Sequence, residues 1–74
     1  MKTTDALRQI MKEQNVGVAK MAGRLNIRQN TMSERLTQQN LSVAKLNEML
    51  RVLDYKVVIL PRETTIPKGG IEID

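Results

Sequence analysis

Val18-Ala19-Lys20-Met21-Ala22-Gly23-Arg24-Leu25-Asn26-Ile27-Arg28-Gln29-Asn30-Thr31-Met32-Ser33-Glu34-Arg35-Leu36 is the stretch whose reading decides the fold. Val18, Met21, Ala22 and Leu25 recur at helical spacing, as do Met32 and Leu36, so two short amphipathic helices are expected. Asn26 tolerates a positive φ and supplies the turn between them. Ile27 then plugs the corner. Four polar residues, Arg28-Gln29-Asn30-Thr31, open the second of these helices. Their side chains are of the kind that hydrogen-bond to base edges.

Working outward, Thr3 or Thr4 is expected to cap a first helix. Asp5 sits in its first turn, where the helix dipole favours an anion. Leu7, Ile10 and Met11 form its buried stripe. Asn15 suits a left-handed stop, Val16 turns inward, and Gly17 can cap the helix over 18–25. Gly23 inside that helix costs about 1 kcal/mol relative to alanine. The helix after the turn is expected over 29–36, followed by a polar connection at 37–40 without periodicity. Ser42 caps a fourth helix carrying Leu46, Met49, Leu50 and Leu53 inward, with Val43 supporting its first turn.

The character changes at Tyr55. Residues 55–60 (Tyr-Lys-Val-Val-Ile-Leu) are rich in β-branched side chains and stop at Pro61, which reads as a strand. Residues 63–66 and 71–73 flank Pro67-Lys68-Gly69-Gly70, a turn composition, so a C-terminal hairpin is a further expectation. The chain thus divides into a helical unit over 1–54 and a β segment over 55–74. The expected class is mainly α, four helices followed by a strand or hairpin.

Composition narrows the chemistry. The 74 residues contain neither cysteine nor histidine. Disulfides are excluded, thiol nucleophiles and imidazole bases are missing, and a zinc site has only carboxylates to draw on. Ser33 and Ser42 have no base near them in sequence. No enzyme activity, cofactor, metal or small-molecule ligand is expected. No apolar run approaches a membrane span and no signal-peptide core is visible, so a cytoplasmic protein of a bacterial or phage-infected cell is expected. The net charge of +4 lies wholly in residues 1–40, where seven cations face three anions, while residues 41–74 hold five of each. Such an excess favours a polyanionic partner.

Residues 4–60 resemble the lambda-repressor-like, Cro-type (XRE-type) helix-turn-helix regulators. The residues that carry the resemblance are Met21-Ala22, Leu25-Asn26-Ile27, Arg28 through Ser33, and Ser42-Val43-Ala44-Lys45-Leu46. The tail Leu53-Asp54-Tyr55-Lys56-Val57-Val58 completes it. Two departures stand out: Asn26 where the family usually has glycine, and Gly17-Val18 where it usually has Ser or Thr then Gln. The resemblance implies double-stranded DNA as partner, with the third helix in the major groove. Arg28, Gln29, Asn30, Thr31, Ser33 and Glu34 are then the candidate base readers. Lys20, Arg24, Arg35, Thr37, Gln38, Gln39 and Asn40 are candidates for the phosphates. A homodimer is expected through a strand of Lys56, Val57, Val58, Ile59 and Leu60, because a lone strand needs a partner for its backbone. The expected function is a transcriptional repressor reading a palindrome. The alternative is a protein-interaction module, an antitoxin or a phage-encoded inhibitor or accessory subunit, that reuses the same scaffold.

Overall fold

In the computed structural model, which describes residues 1–74, four helices form: α1 (Thr3–Glu13), α2 (Val18–Leu25), α3 (Gln29–Thr37) and α4 (Val43–Arg51). The protein is mainly helical, and no helix is long and apolar enough to cross a membrane. Each inward stripe meets the others in one core. Leu7, Met21, Met32, Met49 and Leu53 lie at its centre with almost no exposed surface. All four helices contribute to it, together with Val16 and Leu41 from the connections.

The ends of α1, α2 and α4 carry three non-glycine residues with positive φ. Asn15 (φ 56°) ends α1, Asn26 (φ 56°) ends α2, and Asp54 (φ 64°) closes the turn after α4. Asparagine and aspartate adopt this left-handed geometry more readily than other side chains. After Asn15 the Val16 N–H donates back to the Met11 carbonyl at 2.8 Å, which swings Val16 into the core. Ser42 caps α4 as expected, its hydroxyl accepting from the Lys45 N–H at 3.1 Å.

Two expectations for the helical unit are corrected. Lys2, not a threonine, occupies the N-cap of α1, and the Asp5 carboxylate accepts the Lys2 N–H at 3.2 Å. Thr3 and Thr4 instead reach across to the α3–α4 connection. The Thr4 hydroxyl donates to the Gln39 carbonyl at 3.0 Å, and the Thr3 hydroxyl accepts the Leu41 N–H at 2.7 Å. Val43 does not pack under the first turn of α4; it is 69% exposed. Leu41, one residue before the Ser42 cap, fills that place. Leu41 and Leu46 occupy the two positions of a hydrophobic staple and share the same core.

The largest correction concerns the tail. Neither the strand over Lys56, Val57, Val58, Ile59 and Leu60 nor the hairpin of 63–66 with 71–73 is formed, and residues 55–74 contain no regular strand. The backbone of 56–60 makes no hydrogen bond. β-propensity describes how well side chains fit a pleated surface, and it produces a strand only where a second strand is present. Pro61 and Pro67 offer no N–H to a neighbour. The turn at 67–70 does form: the Gly70 N–H meets the Pro67 carbonyl at 2.9 Å, with Gly69 at φ 87°.

From that turn the chain runs back over α1 and α4. Tyr55, Val57 and Ile71 pack against the core. Beside them lies a groove of about 1200 Å3, floored by Ala6, Ile10, Leu46 and Leu50. The two chain ends meet there, the Met1 amine donating to the Asp74 carboxylate and the Asp74 N–H to the Met1 carbonyl.

Candidate nucleic-acid interface

The positions that present α3 are fixed by α2 and the turn. Asn26 donates from its backbone to the Ala22 and Gly23 carbonyls, and the Ile27 N–H also reaches the Ala22 carbonyl, at 3.0 Å. This closure reverses the chain within residues 26–28. Arg28 is extended and starts α3 without a side-chain cap. The backbone N–H groups of the first turn therefore remain available to an acceptor outside the chain, at the positive end of the helix dipole.

Burial of Met32 and Leu36 sets the rotation of α3. Gln29, Asn30, Ser33 and Glu34 consequently face outward and are exposed, and Thr31 is half-buried. None of the four exposed side chains donates or accepts a hydrogen bond within the chain, and Glu34 has no ion pair. Asn30 and Glu34 are one turn apart, as are Gln29 and Ser33, so the four form two adjacent rows on one face. Five exposed side chains with differing donors and acceptors, counting Arg28 at the entry, are thus brought together along α3.

The candidate phosphate contacts separate into two groups. Lys20 is exposed on α2, and Gln38, Gln39 and Asn40 are exposed on the α3–α4 connection. The other three have partners inside the chain. Arg24 donates to the Val52 carbonyl at 3.2 Å, beyond the end of α4. Arg35 turns toward α4: its side chain is only 13% exposed and stands 3.7 Å from the Glu48 carboxylate. One of its terminal nitrogens is buried without a hydrogen-bond acceptor. Arg35 is therefore a half-buried cation turned toward α4, because it neighbours Leu36 on the inward stripe of α3. The Thr37 hydroxyl donates to the Glu34 carbonyl at 2.6 Å and secures the last turn of α3.

The groups that hold this face were not all visible in the sequence. Arg8 donates to the Leu36 carbonyl at 2.7 Å, capping the far end of α3 from α1. Thr3 and Thr4 fix the 39–41 connection from the same helix. Their partners lie 28 to 38 positions away along the chain, and no local pattern announces such pairs. Leu41 could have been found, since an apolar residue just ahead of a serine cap is a staple signal.

Compared with models of known protein families, with curated proteins and with solved structures, the chain matches none.

Proposed function

We propose that this protein is a sequence-specific reader of double-stranded DNA, a homodimer that represses transcription by occupying a palindromic site. Its place of work is the cytoplasm of a bacterial or phage-infected cell. The observation that carries the proposal is the outer face of α3, where Gln29, Asn30, Ser33 and Glu34 are exposed and free of partners within the chain. An α-helix fits the major groove, and a planar amide matches the N6 and N7 edge of adenine with one donor and one acceptor. Arg28 and the free N–H groups at the start of α3 suit a phosphate or guanine beside that edge. Lys20 on α2 and the exposed amides of 38–40 after α3 supply further backbone contacts. In lambda-repressor-like terms, α2 and α3 about Asn26 are the helix-turn-helix and α3 is the recognition helix.

One head of this size covers few base pairs. Two heads about 34 Å apart read two half-sites one DNA turn from each other. The tail offers the means to join them. Residues 56–60 have every backbone group unpaired, and Val58, Ile59 and Leu60 are 59%, 97% and 42% exposed. Antiparallel pairing of this segment with its copy supplies the missing hydrogen bonds and covers the apolar side chains.

That same exposed segment favours one competing function, a protein-interaction module with a heterologous partner on the tail. Selection of the purified protein on a random duplex pool, with solution mass measured in parallel, separates the two. A palindromic site and a dimeric mass support the regulator. Gln29→Ala then relaxes one position in each half-site. Arg28→Ala reduces the salt slope by about one if it meets a phosphate. Ile59→Asp gives a folded monomer with weaker binding. Shallow, equal binding to all sequences rejects the proposal.

A further inference from the structure

Among the outward residues of α3, Glu34 is the one that should not face DNA without a purpose. It is exposed, on the same row as Asn30. A carboxylate there meets the phosphate field at a cost unless something neutralises or engages it. No cation of the chain does so. Arg35 is committed to Glu48, and Lys45 pairs with the same carboxylate at 3.5 Å. An ionised carboxylate is also an acceptor only. In the major groove the matching donors are the exocyclic amines, and the cytosine N4 amine is the one offered without an adjacent ring acceptor.

We infer that Glu34 is a specificity-determining residue that accepts a hydrogen bond from a cytosine N4 amine, so that each half-site carries a C·G pair close to the pair read by Asn30. The inference rests on the DNA-reading role of α3 proposed above. Four residues of α-helix rise about 6 Å, against about 3.4 Å per base pair, which separates the two contacts by one to two pairs. Recognition by this chemistry has a second consequence. One hydrogen of the cytosine amine pairs with guanine and the other faces the groove. Methylation at N4 replaces the groove-facing hydrogen and leaves Glu34 facing a methyl group. Binding is therefore sensitive to N4-methylation of the site.

The test uses the full chain and Glu34→Ala, each selected on the same random duplex pool. Glu34 makes no side-chain contact within the protein, and alanine keeps the main-chain carbonyl that Thr37 uses, so the variant folds. The expected result is a wild-type site with a C·G pair within two positions of the pair that Asn30→Ala relaxes. Glu34→Ala loses preference at that C·G pair alone, and binds random duplex several-fold more tightly because a negative charge has gone. N4-methylcytosine at that position weakens the wild type about ten-fold and leaves Glu34→Ala unaffected. Retention of the same base preference by Glu34→Ala overturns the inference, as does wild-type binding to the methylated site at undiminished strength. A wild-type protein that enriches no site at all overturns the DNA-reading role itself, and the inference with it.

Discussion

Replacing Thr3 by valine isolates the clasp between the start of α1 and the α3–α4 connection. Valine keeps the shape and the β-branch but removes the hydroxyl that accepts the Leu41 N–H at 2.7 Å and approaches the Gln39 carbonyl at 3.4 Å. Leu41 is a core residue, 7% exposed, so its N–H is left part-buried without an acceptor. Stranding a buried donor costs about 1–3 kcal/mol, and partial solvent access at this edge places the effect near the lower half of that range. A domain of this size is stabilised by roughly 4–11 kcal/mol in all, so the loss is a sizeable share. With an unfolding entropy of about 2.1 cal/mol/K per residue, 1.5 kcal/mol corresponds to a fall in Tm of about 10 °C. Urea unfolding followed by far-ultraviolet circular dichroism measures the change, and amide exchange at Leu41 localises it. Thr3→Ser, which restores the hydroxyl, recovers most of the loss. Thr3→Val with unchanged stability and an undiminished Leu41 protection factor refutes the clasp.

Three further substitutions probe backbone and tail. Gly23 lies within α2, and a Cβ there meets nothing within 4 Å, so Gly23→Ala raises stability by about 0.5–1 kcal/mol in the same urea titration. Asp54 holds a positive φ of 64° after α4, and Asp54→Gly removes the strain of a side chain there, raising Tm by a few degrees in a calorimetric scan. The hydrogen bond from the Met1 amine to Asp74, and the charge of that amine, hold the Asp74 carboxyl below the ordinary aspartate range. A carboxyl depressed in the folded state stabilises the tail contact above its unfolded value. That contribution is lost as the pH falls through the lower, folded value. Amide signals of residues 71–74 therefore shift toward those of Asp74→Asn on acidification, while those of α1–α4 stay in place.

Local chemistry made most of the helical unit legible. Asn15 and Asn26 stop their helices through their own backbone preference, and the apolar stripes of α2, α3 and α4 report the core because helical spacing is a short-range property. Ser42 capped α4 for the same reason. What depended on distant partners was not legible. Thr3 and Thr4 have the chemistry of caps, and their hydroxyls are used 35 or more positions away instead. Arg24 and Arg35 look like free cations in sequence, and only the packing of α4 shows that the Val52 carbonyl accepts from Arg24 and that the Glu48 carboxylate stands beside Arg35. The tail differs for another reason. Its β-branched run states a preference, and no second strand lies beside it to turn that preference into a ladder.

For the candidate interface, the orientation of Gln29, Asn30, Ser33 and Glu34 followed from Met32 and Leu36 being apolar four residues apart. The position of the 38–40 connection depends on a clasp that no periodicity encodes.

The most direct measurement is a titration of the isotopically labelled protein with duplex DNA, followed residue by residue through its amide signals. The expected shifts centre on residues 28–34, with a smaller set at Lys20 and across 38–41. Perturbations confined to 56–60 and 71–74, or none at low salt, contradict the assignment of the outer face of α3 as the working surface.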